Sequence, residues 1–246
     1  MRNFKMVLSY DGSRYRGWQR LGDSDNTIQG RLEKVLSRMV GVPVEVIGSG
    51  RTDAGAHAAG QVANFHIDTA LSEEEILLYL RKYLPEDIGV ISVEETIPRF
   101  HSRLNATHKT YRYRIWNSSY PCVFDRKYVW VMSEDLDTEK MRLAADYLTG
   151  THDFRSFCSN KNFKKSTVRT IHDIDISRKG HELIITFSGD GFLYNMVRIM
   201  VGTLVSVGKG ELTVDAVPTI IADRQREKAG ITAPPNGLCL MEVFYK

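Results

Sequence analysis

The sequence predicts an α+β fold of two ferredoxin-like β-α-β-β-α-β units, each an antiparallel sheet with helices packed on one side. Two observations carry this. Runs that alternate apolar and polar residues give way to runs of helical spacing, and the order strand-helix-strand-strand-helix-strand occurs twice. The boundary falls at Thr96 to Thr107, dividing the chain into domains 1–100 and 105–246.

In the first half, Phe4 to Tyr10 alternates as a strand. Thr27 to Val40 places Ile28, Leu32, Val35, Leu36 and Met39 at helical spacing. Strands follow at Val44 to Gly48 and Gln61 to Ile67. Ser72 is a natural N-cap for a helix opening with Glu73, Glu74 and Glu75, because acids suit the first turn; Pro85 closes that helix after Leu84. Ile88 to Glu94 is the last strand of the half. The second half reads as strand Lys109 to Trp116, helix Thr138 to Leu148, and strands Val168 to Ser177 and Glu182 to Ser188. Helices Phe192 to Val207 and Val214 to Ala222 follow, then strand Leu238 to Tyr245.

Composition bounds the function. The 246 residues are 42% hydrophobic and 26% charged, which supports a real core in a soluble protein. A net charge of +3 is compatible with a polyanion partner without being diagnostic. Cys122, Cys158 and Cys239 are odd in number and far apart, with no C-x-x-C, so neither a disulfide framework nor a zinc site is indicated. A reducing, cytoplasmic setting is expected. The seven histidines show no H-E-x-x-H or similar ligand spacing. The N-terminus runs straight into a strand rather than a signal peptide, and no apolar stretch reaches spanning length, so no membrane is expected.

The most informative stretch is Gly48-Ser49-Gly50-Arg51-Thr52-Asp53-Ala54-Gly55-Ala56, with His57 next. Its glycines let a ligand approach the backbone, and it carries one cation, Arg51, and one carboxylate, Asp53. A loop held between strands is a good place for chemistry. An ordinary connection, with Arg51 and Asp53 as a solvated ion pair, fits the same pattern. A phosphate-binding P-loop does not, because the G-x-x-x-x-G-K-[ST] spacing is missing.

Two further segments stand out. Alternation puts Tyr111, Tyr113 and Ile115 on one face of a strand and Arg112, Arg114 and Trp116 on the other. Tyr111 is either a core tyrosine or a platform on which a base stacks, with the arginines reaching phosphates. The helix from Phe192 is apolar almost all round, with Arg198 its only charge, on a narrow polar stripe with Asn195 and Gly202. A buried arginine needs a carboxylate. Asp53 is the preferred partner and Asp190 the local alternative, unless Arg198 extends to the surface.

Taken together, these motifs resemble the tRNA pseudouridine synthase A (TruA) family. The resemblance runs through Tyr10-Asp11-Gly12-Ser13, Gly17-Trp18-Gln19, Gly50-Arg51-Thr52-Asp53-Ala54-Gly55 with His57, and Gly60-Gln61-Val62-Ala63. It continues through Phe100-His101-Ser102-Arg103, Lys109-Thr110-Tyr111-Arg112-Tyr113, His152-Asp153-Phe154, Gly191 to Arg198, and Thr232-Ala233-Pro234-Pro235 leading to Gly237-Leu238. It implies the pseudouridine synthase fold with an active-site cleft between the two units. It also implies an isomerase acting on uridines 38, 39 and 40 in the anticodon stem-loop of tRNA, working as a homodimer with no metal and no cofactor. The family's essential aspartate falls on Asp53, its base-stacking tyrosine on Tyr111, and the arginine that pairs with the aspartate on Arg198. Arg51 would hold the RNA with its base turned out. Leu238 matches an apolar residue beside the site, with Leu240 on the same strand face.

Two positions depart from the family pattern: Ala56, where valine is common, and Asp190, which adds an acid near the expected site and puts the usual choice of uridines in doubt. Basic residues group at Arg14, Arg16 and Arg20, at Lys161, Lys164, Lys165 and Arg169, and at Arg178 and Lys179. Steep salt dependence of tRNA binding is expected, shallower once Lys164 and Lys165 are alanine. The competing readings are a non-catalytic RNA-binding module of the same fold and a metal- or nucleotide-dependent enzyme.

Overall fold

A computed structural model describes residues 1–22, 24–161 and 165–246. The chain divides into two compact units, Met1–Thr107 with Cys239–Lys246, and His108–Leu238.

The first unit is built on β1 (Arg2–Tyr10). Its even residues Phe4, Met6, Leu8 and Tyr10 are all buried, so one face of the strand is core. It pairs antiparallel with β3 (His57–Ile67) on one side and β4 (Ile88–Thr96) on the other, with Phe4 opposite Phe65 and Met6 opposite Val93. The short β2 (Val46–Gly48) lies antiparallel on β3, giving the order β4-β1-β3-β2 of a ferredoxin-like unit.

Helix α1 (Ile28–Val40) buries Ile28, Leu32 and Leu36, and α2 (Glu73–Tyr83) buries Ile76 and Leu80. Thr27 caps α1 through the Gly30 N–H, and Gly41 ends it in the left-handed region at φ 77°. Buried Glu33 and Gln29 tie α1 to β2: Gln29 donates to the Val46 carbonyl at 3.0 Å, and the Val46 N–H to Glu33 at 3.1 Å. Ser72 and Glu75 form a reciprocal capping box on α2. Ser72→Ala is expected to lower stability by about 1 kcal/mol in urea titration, because it removes the side chain that caps the Glu75 N–H.

β3 begins at His57, four residues before the alternating run suggested. The cause is a long-range partner: β10 (Leu238–Tyr245) pairs in parallel with it, Cys239 opposite His57 and Leu240 opposite Ala58. The sequence division at 105–246 assigned this strand to the second domain; the structure groups Cys239–Lys246 with the first unit.

The second unit orders its strands β5-β9-β8-β7. β5 (Ala106–Asn117) pairs antiparallel with β9 (Glu182–Gly189), setting Tyr111 opposite Phe187 and Tyr113 opposite Ile185. β8 (Val168–Lys179) and β7 (Gly150–Asp153) continue the sheet antiparallel, and β6 (Trp130–Met132) lies parallel on β5. β6 and β7 have only three and four residues, too short for periodicity to reveal.

Helix α3 (Thr138–Asp146) packs Met141 against Gly208 at the end of α4 (Met196–Gly208), and α5 (Ala216–Asp223) follows. α4 starts at Met196 rather than Phe192, because Asn195 takes the left-handed conformation at φ 61° and the Met196 N–H closes a turn on Leu193. Its buried residues lie on all sides, as the apolar run predicted. Among the described residues no helix is long and apolar enough to cross a membrane.

Candidate active site

The loop from Ser49 to Ala56 joins β2 to β3. It is tied down from three sides. Gln61 of β3 donates to the Gly50 carbonyl at 3.0 Å and accepts from the Ser49 hydroxyl at 2.7 Å. The Tyr10 hydroxyl shares a 2.8 Å hydrogen bond with Thr52, and burial pushes that phenol well above its ordinary value. The Trp18 N–H donates to the Thr52 carbonyl at 3.1 Å, and the Gly55 N–H donates to the Tyr15 carbonyl at 3.3 Å.

Glycines make this closeness possible. A Cβ on Gly12 would lie 1.9 Å from the Ala56 carbonyl oxygen, and one on Gly48 would enter the Trp18 ring at 2.5 Å. Gly17 sits at φ 94° against the backbone of residues 52–54. Beside the loop, the Gly12 N–H donates to His57 Nδ1 at 3.1 Å, and Asp11 Oδ1 lies 3.2 Å from the same nitrogen. Within this frame Asp53 is half-buried and its carbonyl accepts the Ala56 N–H at 3.1 Å. Arg51 is exposed and, among the described residues, donates no hydrogen bond. These contacts hold the loop on both sides of Asp53 and keep the Arg51 guanidinium at its exposed edge.

The resemblance motifs around Asp53 are therefore its supports. Tyr10, Gly12, Gly17, Trp18 and Gln61 are needed by its geometry, a role that only the fold reveals. Ser102 serves the sheet in the same way: it is fully buried, its hydroxyl donates to the Ile47 carbonyl at 2.6 Å and its N–H to Asn64 at 2.9 Å.

In the second unit Tyr111 is buried, 7% exposed, with the ring of Phe192 edge-on at 5.0 Å. Tyr113 is a core tyrosine: its hydroxyl donates to the Pro234 carbonyl at 2.7 Å. Burial raises that hydroxyl, and the nearby Arg198 charge acts against the rise. Arg114, read from the sequence as reaching phosphates, is instead held by Glu182 and by Asp125 at 2.8 Å. Those partners lie far along the chain or across a turn, so periodicity could not find them.

Arg198 is half-buried on α4. Its Nε donates to the Ala233 carbonyl at 2.6 Å and one terminal nitrogen to Asn195 Oδ1 at 3.1 Å, while the Ala233 N–H returns a bond to the Arg198 carbonyl. Residues 230–233 come this close because Gly202 and Gly230 have no side chains: a Cβ on Gly202 would lie 1.9 Å from the Ile231 carbonyl oxygen. The polar stripe Asn195, Arg198 and Gly202 is thus a bracket that fixes one guanidinium. Asp190, the local alternative partner, accepts the Thr170 N–H at 3.0 Å and so is bound to the end of β8. Leu238 is buried at the start of β10, as is Leu240.

The basic groups divide. Arg14 and Arg20 are engaged by Asp87 and Glu33 at 2.6 and 2.9 Å. Lys161 and Lys165 are exposed, and Lys164 lies outside the described residues. Among the described residues no three His, Cys, Asp or Glu side chains are grouped to hold a metal ion.

A family model described as tRNA pseudouridine synthase matches residues 6–103 and 144–246. The matched stretches contain Arg51, Asp53, Arg198 and Leu238; Tyr111 falls between them. Among curated proteins, the tRNA pseudouridine synthase A of Bacillus sp. (strain KSM-64) is 50% identical over all of both chains. The tRNA pseudouridine synthase A 2 of Bacillus cereus is 46% identical and the tRNA pseudouridine synthase A of Acetivibrio thermocellus 43% identical, again over all of both chains. Among solved structures, a Cbf5-Nop10-Gar1 complex aligns with 96% of this chain and 48% of that chain at a TM-score of 0.41 and 9% identity.

Proposed function

The chain belongs to the tRNA pseudouridine synthase family, and from that premise we propose that it isomerises uridine to pseudouridine in tRNA with Asp53 as the catalytic carboxylate. The observation that carries the assignment is the Asp53 loop itself, gripped on both sides of a half-buried Asp53 that lies two residues from the exposed Arg51.

The reaction breaks the C1′–N1 bond of uridine and joins C5 to C1′; the C5 proton leaves and N1 gains one. Atoms balance without an oxidant, a reductant or a second substrate, so no cofactor is required. The substrate is a uridine in the anticodon stem-loop, at positions 38, 39 and 40, and the enzyme works as a homodimer in the cytoplasm.

The target base must leave its stack, at a cost of a few kcal/mol. Tyr111 offsets part of that cost by stacking on the extruded base, and Arg51 contacts the flanking phosphates. Arg198, bracketed by Asn195 and Ala233, supplies the positive charge that keeps Asp53 ionised once RNA has excluded water. Leu238 gives the base an apolar wall.

Removing Tyr111 tests this arrangement. Base stacking on an aromatic is worth about 1–3 kcal/mol, so Tyr111→Ala should lower kcat/KM by roughly 5- to 150-fold while Tyr111→Phe keeps most of it. Equal activity in all three proteins would remove the stacking role. Nucleoside mapping of tRNA after incubation tests the positions: product at 38–40 supports the substrate assignment, and product only elsewhere overturns it.

A further inference from the structure

A second basic feature lies on the first unit, lined by residues other than Asp53. A cavity of about 620 Å³ opens between α1 and the end of α2, lined by Arg14, Tyr15, Arg31, Lys34, Arg38 and Tyr83 among others. Residues 31, 34, 35 and 38 fall at i, i+3, i+4 and i+7, so three cations and Val35 share one stripe of α1. At 1.5 Å per residue the stripe is about 10 Å long.

Its charges are poorly balanced. Asp87 is engaged by Arg14 at 2.6 Å and by the Tyr15 hydroxyl at 2.6 Å, and Glu86 is the other acid close by. Neither forms an ion pair with Arg31, Lys34 or Arg38 among the described residues. Arg38 rests on the face of Tyr83 at 5.1 Å, a contact that leaves its charge available. The Nε of Arg31 is buried with no hydrogen-bond partner among the described residues. A buried donor left unsatisfied carries a desolvation penalty, and an anion placed in the groove would relieve it.

The groove is joined to the catalytic loop by one residue. The Tyr15 side chain lines it, while the Tyr15 carbonyl accepts the Gly55 N–H two residues after Asp53. We propose that the groove seats phosphates of the RNA backbone, so that Arg31, Lys34 and Arg38 form a second contact to the tRNA whose uridine reaches Asp53. This rests on the tRNA isomerase reading. Open, cationic and rimmed by the rings of Tyr15 and Tyr83, the groove suits a polyanionic strand, and none of its cations belongs to the proposed reacting site.

The test uses the full-length protein and full-length tRNA, with binding followed by fluorescence anisotropy against salt and turnover followed separately. Each phosphate contact contributes about 0.7–0.9 to the log–log salt slope, so Arg31→Gln/Lys34→Gln/Arg38→Gln should shallow it by about 2. KM should rise at least about tenfold near physiological salt, with kcat at saturating tRNA unchanged. The double variant Lys34→Gln/Arg38→Gln, both positions exposed, should show a smaller shift of the same kind and guards against misfolding of the triple. Unchanged slope and KM in folded double and triple variants would overturn the groove while leaving the isomerase intact. Wild-type tRNA binding with the expected slope but no pseudouridine would overturn the isomerase instead. If ATP, used as a small polyphosphate, protects the wild type against heat but not the triple variant, and tRNA binding is equal in both, the groove takes a small anion and the RNA assignment fails.

Discussion

Asp53→Asn is expected to lower pseudouridine formation by about a thousandfold or more while leaving tRNA affinity within a few-fold of wild type. Asparagine keeps the shape and removes the charge, so it separates chemistry from binding. Loss of a sole nucleophile or base removes the interaction made in the transition state, and kcat and kcat/KM should fall together. The variant keeps the loop's ties through the backbone of Asp53 and through Thr52, Gly50 and Gly55, and its melting temperature checks that it is folded. Asp53→Glu keeps the charge but moves it by a methylene; a displacement of about 1 Å can cost about a hundredfold, so the glutamate variant should also be slow. Retention of a tenth of the wild-type rate by Asp53→Asn, measured in single-turnover nucleoside analysis, would remove Asp53 from the chemistry.

Gly12→Ala should produce the second largest loss. The new methyl would lie 1.9 Å from the Ala56 carbonyl oxygen, backbone that can move only by shifting the loop that carries Asp53. Overpacking of this kind costs about 1–3 kcal/mol of stability. A shift of about 1 Å in the carboxylate would reduce kcat/KM by about a hundredfold. Gly41→Ala is the control. Gly41 is at φ 77° with nothing within 4 Å of a built Cβ, so the variant should lose about 1 kcal/mol of stability and no activity. Equal activity losses in the two variants, compared at a temperature where both are folded, would show that the packing of Gly12 has no special bearing on Asp53.

Local features of the fold were the ones readable from the residues. The alternation of β1, the stripe of α1 and the Ser72 cap each depend on neighbours within a few positions, and all three are present. What escaped depends on distant partners. The early start of β3 at His57 needs Cys239 and Leu240 beside it, and the grouping of β10 with the first unit follows from the same pairing. Asn195 broke the start of α4 through a left-handed backbone, which an apolar run does not announce.

The candidate site was legible in the same uneven way. Arg51 and Asp53 stood out as the charges of a glycine-rich loop, and Arg198 as the lone charge of an apolar helix. The supports did not: Gln61 and Tyr10 act across the sheet, and Ala233 meets Arg198 through a carbonyl, a group every residue has. Arg114 looked available only because Asp125 and Glu182 are far from it in sequence or across a turn.

The most direct test of the central claim is tritium release from tRNA labelled with [5-³H]uridine, with wild type and Asp53→Asn compared in the presence of chelator and without added cofactor. The C5 proton is lost only once C5 has bonded to C1′, so release counts completed rearrangements. One tritium released per pseudouridine formed by the wild type, and none above background by Asp53→Asn, is the predicted result. No release by the wild type from tRNA that it binds, or release by Asp53→Asn at the wild-type rate, would contradict the account.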